Sequence, residues 1–165
     1  MVCHIREKFT INKNTLLRRY IKPEDVEKYV SGEYDAVRGC ISREGDYNDV
    51  GDFEDIFETF RLDYDNTPYH STDKSYWKIE FKTTNKELKK INLDNTYGYE
   101  LGGNNTLHDP CTQNAFTGSK NGKVIPEWNL ENGIEYDDNA LITKIEHGKV
   151  VKQYKFDDGT WRKIK

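Results

Sequence analysis

Ala140-Leu141-Ile142-Thr143-Lys144-Ile145-Glu146-His147-Gly148-Lys149-Val150-Val151-Lys152-Gln153-Tyr154-Lys155-Phe156-Asp157-Asp158-Gly159-Thr160-Trp161-Arg162-Lys163-Ile164 is the stretch that decides the fold class. It holds three short runs of β-branched, aliphatic and aromatic residues, parted by His147-Gly148 and by Asp157-Asp158-Gly159. Short glycine-containing turns between such runs are hairpin signals, so a three-stranded antiparallel meander is expected here.

Upstream, Trp77, Ile79 and Phe81 alternate with Lys78, Glu80 and Lys82, the pattern of a half-buried strand. Ala36 to Ser42 reads as a further strand, with Arg38 inside it between Val37 and Gly39-Cys40. Helical signals lie elsewhere. Asp52, Glu54 and Asp55 crowd a first turn ahead of the stripe Phe53, Ile56, Phe57 and Phe60, and Pro23-Glu24-Asp25 marks another helix start that Ser31-Gly32 ends. Leu16, Leu17, Tyr20 and Ile21 recur at helical spacing. The expected fold is therefore α+β, with short N-terminal helices followed by a mostly antiparallel, twisted sheet. One domain is expected over 1–165, with 1–33 a helical N-terminal part and 34–165 the α+β core.

The chain has 165 residues, enough for one core, and 11 Tyr, 7 Phe and 3 Trp offset a charged fraction of 33%, so that core is expected to be aromatic. A net charge of −4 argues against general nucleic-acid binding, although Lys144, Lys149, Lys152, Lys155, Arg162, Lys163 and Lys165 make the last stretch locally basic. Cys3, Cys40 and Cys111 are odd in number and widely spaced, which predicts neither a disulfide framework nor a zinc site. No secretory signal opens the sequence and no run is long enough to span a bilayer. If the domain leaves the cell that makes it, another segment must carry it.

Gly102 to Trp128 is polar and rich in glycine and asparagine at first, and Val124-Ile125 then begins a strand that Pro126 confines to an edge or bulge. A long irregular loop of this kind in a small domain is expected to be functional. No G-x-S-x-G elbow, phosphate-loop or dinucleotide fingerprint, or twelve-residue calcium loop occurs, so no metal is expected.

The run Asn114-Ala115-Phe116-Thr117-Gly118-Ser119, continuing to Ile125-Pro126-Glu127-Trp128, resembles the C-terminal toxin domains of large secreted bacterial proteins. Val37-Arg38-Gly39-Cys40-Ile41-Ser42-Arg43 and Phe60-Arg61-Leu62-Asp63-Tyr64 add to that likeness, which covers roughly 35–145. Within that group the order of residue types is similar to mono-ADP-ribosyltransferase toxins, which implies an ADP-ribosyltransferase-like fold that uses NAD as substrate. The resemblance implies Glu127, Arg38 and Ser119 as catalytic residues, and Arg38, Ser42, Phe116, Thr117 and Ser119 around the NAD. A strand arginine would clamp the pyrophosphate, while a carboxylate beside the ribose would stabilise the oxocarbenium ion as nicotinamide leaves. Such a site requires Arg38 and Glu127 in one cleft. The likeness further implies an unknown macromolecular acceptor, a cognate immunity protein, and delivery within a larger secreted protein to a target cytoplasm.

Two other readings stay open. A metal-free RNase would use His70 or His108 as acid/base, each beside a hydroxyl residue. A non-catalytic immunity or adaptor protein would suit the acidity and would present an exposed aromatic patch.

Overall fold

The computed structural model describes residues 9–49, 51–91, 116–117 and 119–165. Inside its sheet, paired on both sides, lies Leu17–Ile21, here β1. The helical spacing of this segment is the first expectation to fail. Leu17 and Ile21 enter one hydrophobic cluster and Tyr20 enters another. A strand covered on both faces shows an almost unbroken buried run, which at five residues looks like a helical stripe. The 1–33 segment is thus not a helical annex, because it supplies an interior strand of the sheet.

Around β1 the chain adds α1 (Pro23–Val30), β2 (Ala36–Arg43), α2 (Phe53–Thr59), β3 (Ser75–Phe81), α3 (Asn85–Leu88), β4 (Trp128–Glu135), β5 (Leu141–Glu146), β6 (Lys149–Asp157) and β7 (Thr160–Lys163). The seven strands stand in the order β4-β2-β1-β3-β5-β6-β7, with every pairing antiparallel. The fold is α+β, and the expected meander is β5-β6-β7. Its turns carry positive φ at His147 and Gly148 and again at Asp158 and Gly159. Two consecutive left-handed residues match the right-handed twist of the flanking strands.

One face of the sheet packs Leu17, Ile21, Val37, Ile41, Ile79 and Ile142 under Val26 and Tyr29 of α1. The other packs Tyr20 and Tyr76 under Phe53 and Ile56 of α2, with Phe60 and Tyr47 alongside. This second cluster is the aromatic core the composition calls for. Each such side chain contributes about 1.5–3 kcal/mol on burial. Asp52 caps α2 by accepting from the Glu54 N–H at 3.4 Å, and the acids of the first turn favour its positive end.

β1 and β2 pair only at Leu17↔Arg43 and Arg18↔Ser42 and then part. The Arg19 side chain spans the opening and donates to the Cys40 carbonyl at 2.9 Å. Gly39, at φ +91°, leaves room for it, since a Cβ there would sit 2.7 Å from the guanidinium. Val124-Ile125 does not begin a strand. Pro126 makes an isolated bridge to Phe116, and β4 starts only at Trp128, as an edge strand.

The cysteines correct another expectation. Cys40 is disulfide-bonded. An odd count still leaves room for one bridge.

Candidate functional site

Arg18 defines the site. Side chains alternate across a strand, so Arg18 projects on the Tyr20 side of β1, into the aromatic cluster. It is fully buried, at 0% exposure. Its Nη1 donates to the Tyr47 carbonyl at 2.8 Å, while Nε and Nη2 have no hydrogen-bond partner among the described residues. The rings of Tyr20, Tyr47 and Phe60 surround the guanidinium, with centroids 5.2–5.6 Å from its central carbon. Cation–π contacts offset part of the desolvation of a buried charge, but they leave its N–H groups unbonded.

Lys78, a buried cation on β3, shows the ordinary solution. Its Nζ lies 2.7 Å from Asp49 and 3.3 Å from Glu80, so its charge is matched. No carboxylate among the described residues bonds Arg18 in this way.

Arg18 lines a cavity of about 310 Å³ at the parting of β1 and β2, together with Arg19, Tyr20, Ser42, Phe60, Tyr64 and Glu127. Ser42 is buried and is Arg18's cross-strand neighbour. Glu127 is also buried, at 4% exposure. The Tyr20 hydroxyl, buried on the same wall, has no hydrogen-bond partner among the described residues, and burial raises its pKa well above the usual phenol value. At the rim, the Lys22 ammonium stands 5.6 Å from the Tyr64 ring centroid. A buried guanidinium, a buried carboxylate and aromatic walls can receive an anionic, ring-bearing ligand.

The segment carrying Glu127 is held in place by its own hydrogen bonds. Thr117 donates its N–H to the Ile125 carbonyl at 2.8 Å, and its hydroxyl accepts from the Ile125 N–H at 2.9 Å. That hydroxyl also lies 3.3 Å from the Lys123 carbonyl. Thr117 therefore fixes the approach to Glu127. Three further contacts clip the segment to α2 and its C-terminal end: Lys120 to Asp63 at 2.6 Å, Asn121 to the Thr59 hydroxyl at 2.8 Å, and Lys123 to Asp55. Burial alone would raise the Asp63 pKa, but the bonds from Arg61 and Lys120 prevail and hold it down at about 2. The bond from Lys123 and then that from Tyr47 lower the Asp55 pKa likewise.

The residues expected from the sequence are divided by the fold. Ser42 and Glu127 share the cavity. Arg38 does not: it is exposed and lines a separate cavity of about 470 Å³ with Arg19, Asp25, Tyr29, Glu33 and Asp35. The register of β2 against β4 shifts between Val37 and Gly39, which ends simple alternation at this point. Arg38 instead lays its stem over Gly133, whose Cβ, were there one, would meet Arg38 Cγ at 2.9 Å. Phe116 bridges Pro126 and meets Phe9 edge-on at 5.8 Å, and the buried Ser119 hydroxyl has no hydrogen-bond partner among the described residues; neither residue lines the Arg18 cavity. His70 is exposed in a turn closed by its N–H to Asp73 at 2.8 Å. His108 and most of the polar loop expected to be functional lie outside the described residues.

Arg18 and Tyr20 were missed because Leu17–Ile21 reads as helix. The available signal was Arg18-Arg19 set between Leu17 and Tyr20-Ile21, two cations inside a segment apolar at both ends. No family model, no curated protein and no solved structure matches the chain.

Proposed function

We propose that the Arg18 cavity binds the nicotinamide nucleotide half of NAD and cleaves its nicotinamide bond, in an ADP-ribosyltransferase-like manner, with Arg18 in the role first expected of Arg38. The observation that carries this reading is the buried Arg18 guanidinium, with two unbonded nitrogens, in one cavity with the buried carboxylate of Glu127. Nε and Nη2 form the fork that holds two phosphate oxygens, and Tyr20, Phe60 and Tyr64 supply surfaces for a flat ring. A cavity of about 310 Å³ suits one nucleotide half better than the whole dinucleotide.

In this reading the bond between ribose C1′ and the nicotinamide nitrogen breaks heterolytically, and nicotinamide leaves neutral with the electron pair. Glu127 stabilises the resulting oxocarbenium ion, which water or an acceptor nucleophile captures with loss of a proton. The wider setting belongs to the same proposal: a toxin-type domain of a larger secreted protein, acting in a target cytoplasm and held in check by an immunity protein.

The test is nicotinamide release from NAD by purified protein. Glu127→Gln keeps shape and hydrogen bonding, so NAD should still bind while turnover falls on the order of a hundredfold or more. Arg18→Lys keeps the charge but loses the fork and should weaken NAD binding about tenfold or more. Absence of release by the parent protein, or full turnover by a folded Glu127→Gln variant, would remove the assignment.

A further inference from the structure

We infer that the β5-β6-β7 ribbon, on the face shared with Trp77, is a docking strip for single-stranded nucleic acid. The inference does not rest on the Arg18 cavity. Residues 141–165 carry seven Lys and Arg against three carboxylates, a net +4 in a chain of net −4, so the remainder carries −8.

Register concentrates this charge. Lys144 lies directly across from Lys152 on this face, and Lys155 directly across from Arg162 on the opposite one. Like charges opposite one another in a sheet destabilise it, and a hairpin gains nothing internal from two such pairs. Arg162 has a partner in Asp157, at 2.5 Å. Among the described residues, neither Lys144 nor Lys152 makes an ion pair.

Cross-strand register also places an aromatic surface beside these lysines. Trp77 stands across from Lys144, and Tyr154 across from Lys163. Paired residues share a face, which puts Trp77, Lys144, Lys152, Tyr154 and Lys163 on one side of the sheet. The Trp77 and Tyr154 rings are stacked at 6.5 Å and 22°, and both are half-buried. Lys152 lies 5.4 Å over the Tyr154 ring. The register shift after Lys144 leaves Val151 as the extra residue of a bulge, which bends β6 at this point. Cations that track a backbone, next to rings on which bases stack, are what single strands bind. An acidic protein surface would use the lysines and leave the rings idle.

The experiment titrates full-length protein with a fluorescein-labelled 20-nucleotide single-stranded RNA and its DNA counterpart, read by anisotropy and by tryptophan emission. Of the three tryptophans only Trp77 is substantially accessible, since Trp128 and Trp161 are 2% and 9% exposed. Binding should quench emission, and affinity should fall roughly tenfold to twentyfold from 50 to 200 mM salt if about three phosphates are neutralised. Lys152→Gln and Lys144→Gln should each weaken binding severalfold while leaving the thermal midpoint unchanged or higher, because each removes a repulsion. Three results would overturn the inference: no binding at 50 mM salt, equal affinity for poly-glutamate without quenching, or loss of thermal stability in both variants with affinity unchanged. The second of these would assign the strip to an acidic protein.

Discussion

Arg18 sets function against stability within one side chain. A buried charge with unbonded N–H groups is costly, and exchanging such a group for an apolar one of similar volume is often neutral or stabilising by roughly 1–4 kcal/mol. Arg18→Met gives up the bond to the Tyr47 carbonyl but removes the desolvated guanidinium, so the thermal midpoint should hold or rise while NAD no longer binds. A drop of several degrees would instead make Arg18 a structural residue and take away the observation on which the proposed function stands. At this scale the sequence was only partly legible. Glu127 and Ser42 were identified and share the cavity, yet the arginine was misplaced. Arg38 stands in the strand from which the resemblance draws its phosphate clamp, and nothing in Val37-Arg38-Gly39 reveals a register shift; Arg18 was hidden by a helical reading of its strand.

Among the elements, the seam between β1 and β2 and the clip from 119–123 to α2 determine whether the cavity holds its shape. Gly39→Ala forces a side chain into φ +91° and against the Arg19 guanidinium, at a cost of roughly 1–3 kcal/mol for the backbone alone. Its thermal midpoint should fall, and a midpoint equal to the parent's would mean that Arg19 does not fill the seam. The clip responds to acid. Asp63 titrates at about 2 in the fold against its usual 3.8, so the stability it adds is complete above about 4 and is lost as pH falls toward 2. Asp55 shifts in the same direction. The midpoint should therefore decline through that window, more shallowly in Asp63→Asn, and an identical slope in the variant would show that the pair with Lys120 contributes nothing. Strands with alternation or paired turns, β3 and the meander, could be read directly from sequence, because a period of two and a glycine turn have few other meanings. β1 could not, since five residues buried on both faces carry no period, and neither could the clip, whose ion pairs span 57 and 68 positions.

For the whole molecule, the order β4-β2-β1-β3-β5-β6-β7 sets a gradient of protection. β1 and β3 are paired on both sides and covered by both clusters, whereas among the described residues β4 and β7 each pair on one side alone. Backbone amides of β1 and β3 should exchange slowest and those of β7 earliest; uniform exchange rates across the sheet would contradict this topology. The same order bears on how the protein is made. β5, β6 and β7 are local hairpins that can close on their own, but β1 has no partner on its β3 side until Ser75–Phe81 exists, and β2 has none on its β4 side until Trp128–Glu135 exists. Contacts this distant in sequence are slow to form, on the order of milliseconds to seconds for sheet proteins of this kind. On a ribosome, therefore, Arg18 emerges well ahead of Glu127 and waits until the wall bearing Glu127 closes over it. Until that wall has been made, the nascent domain is without its cavity.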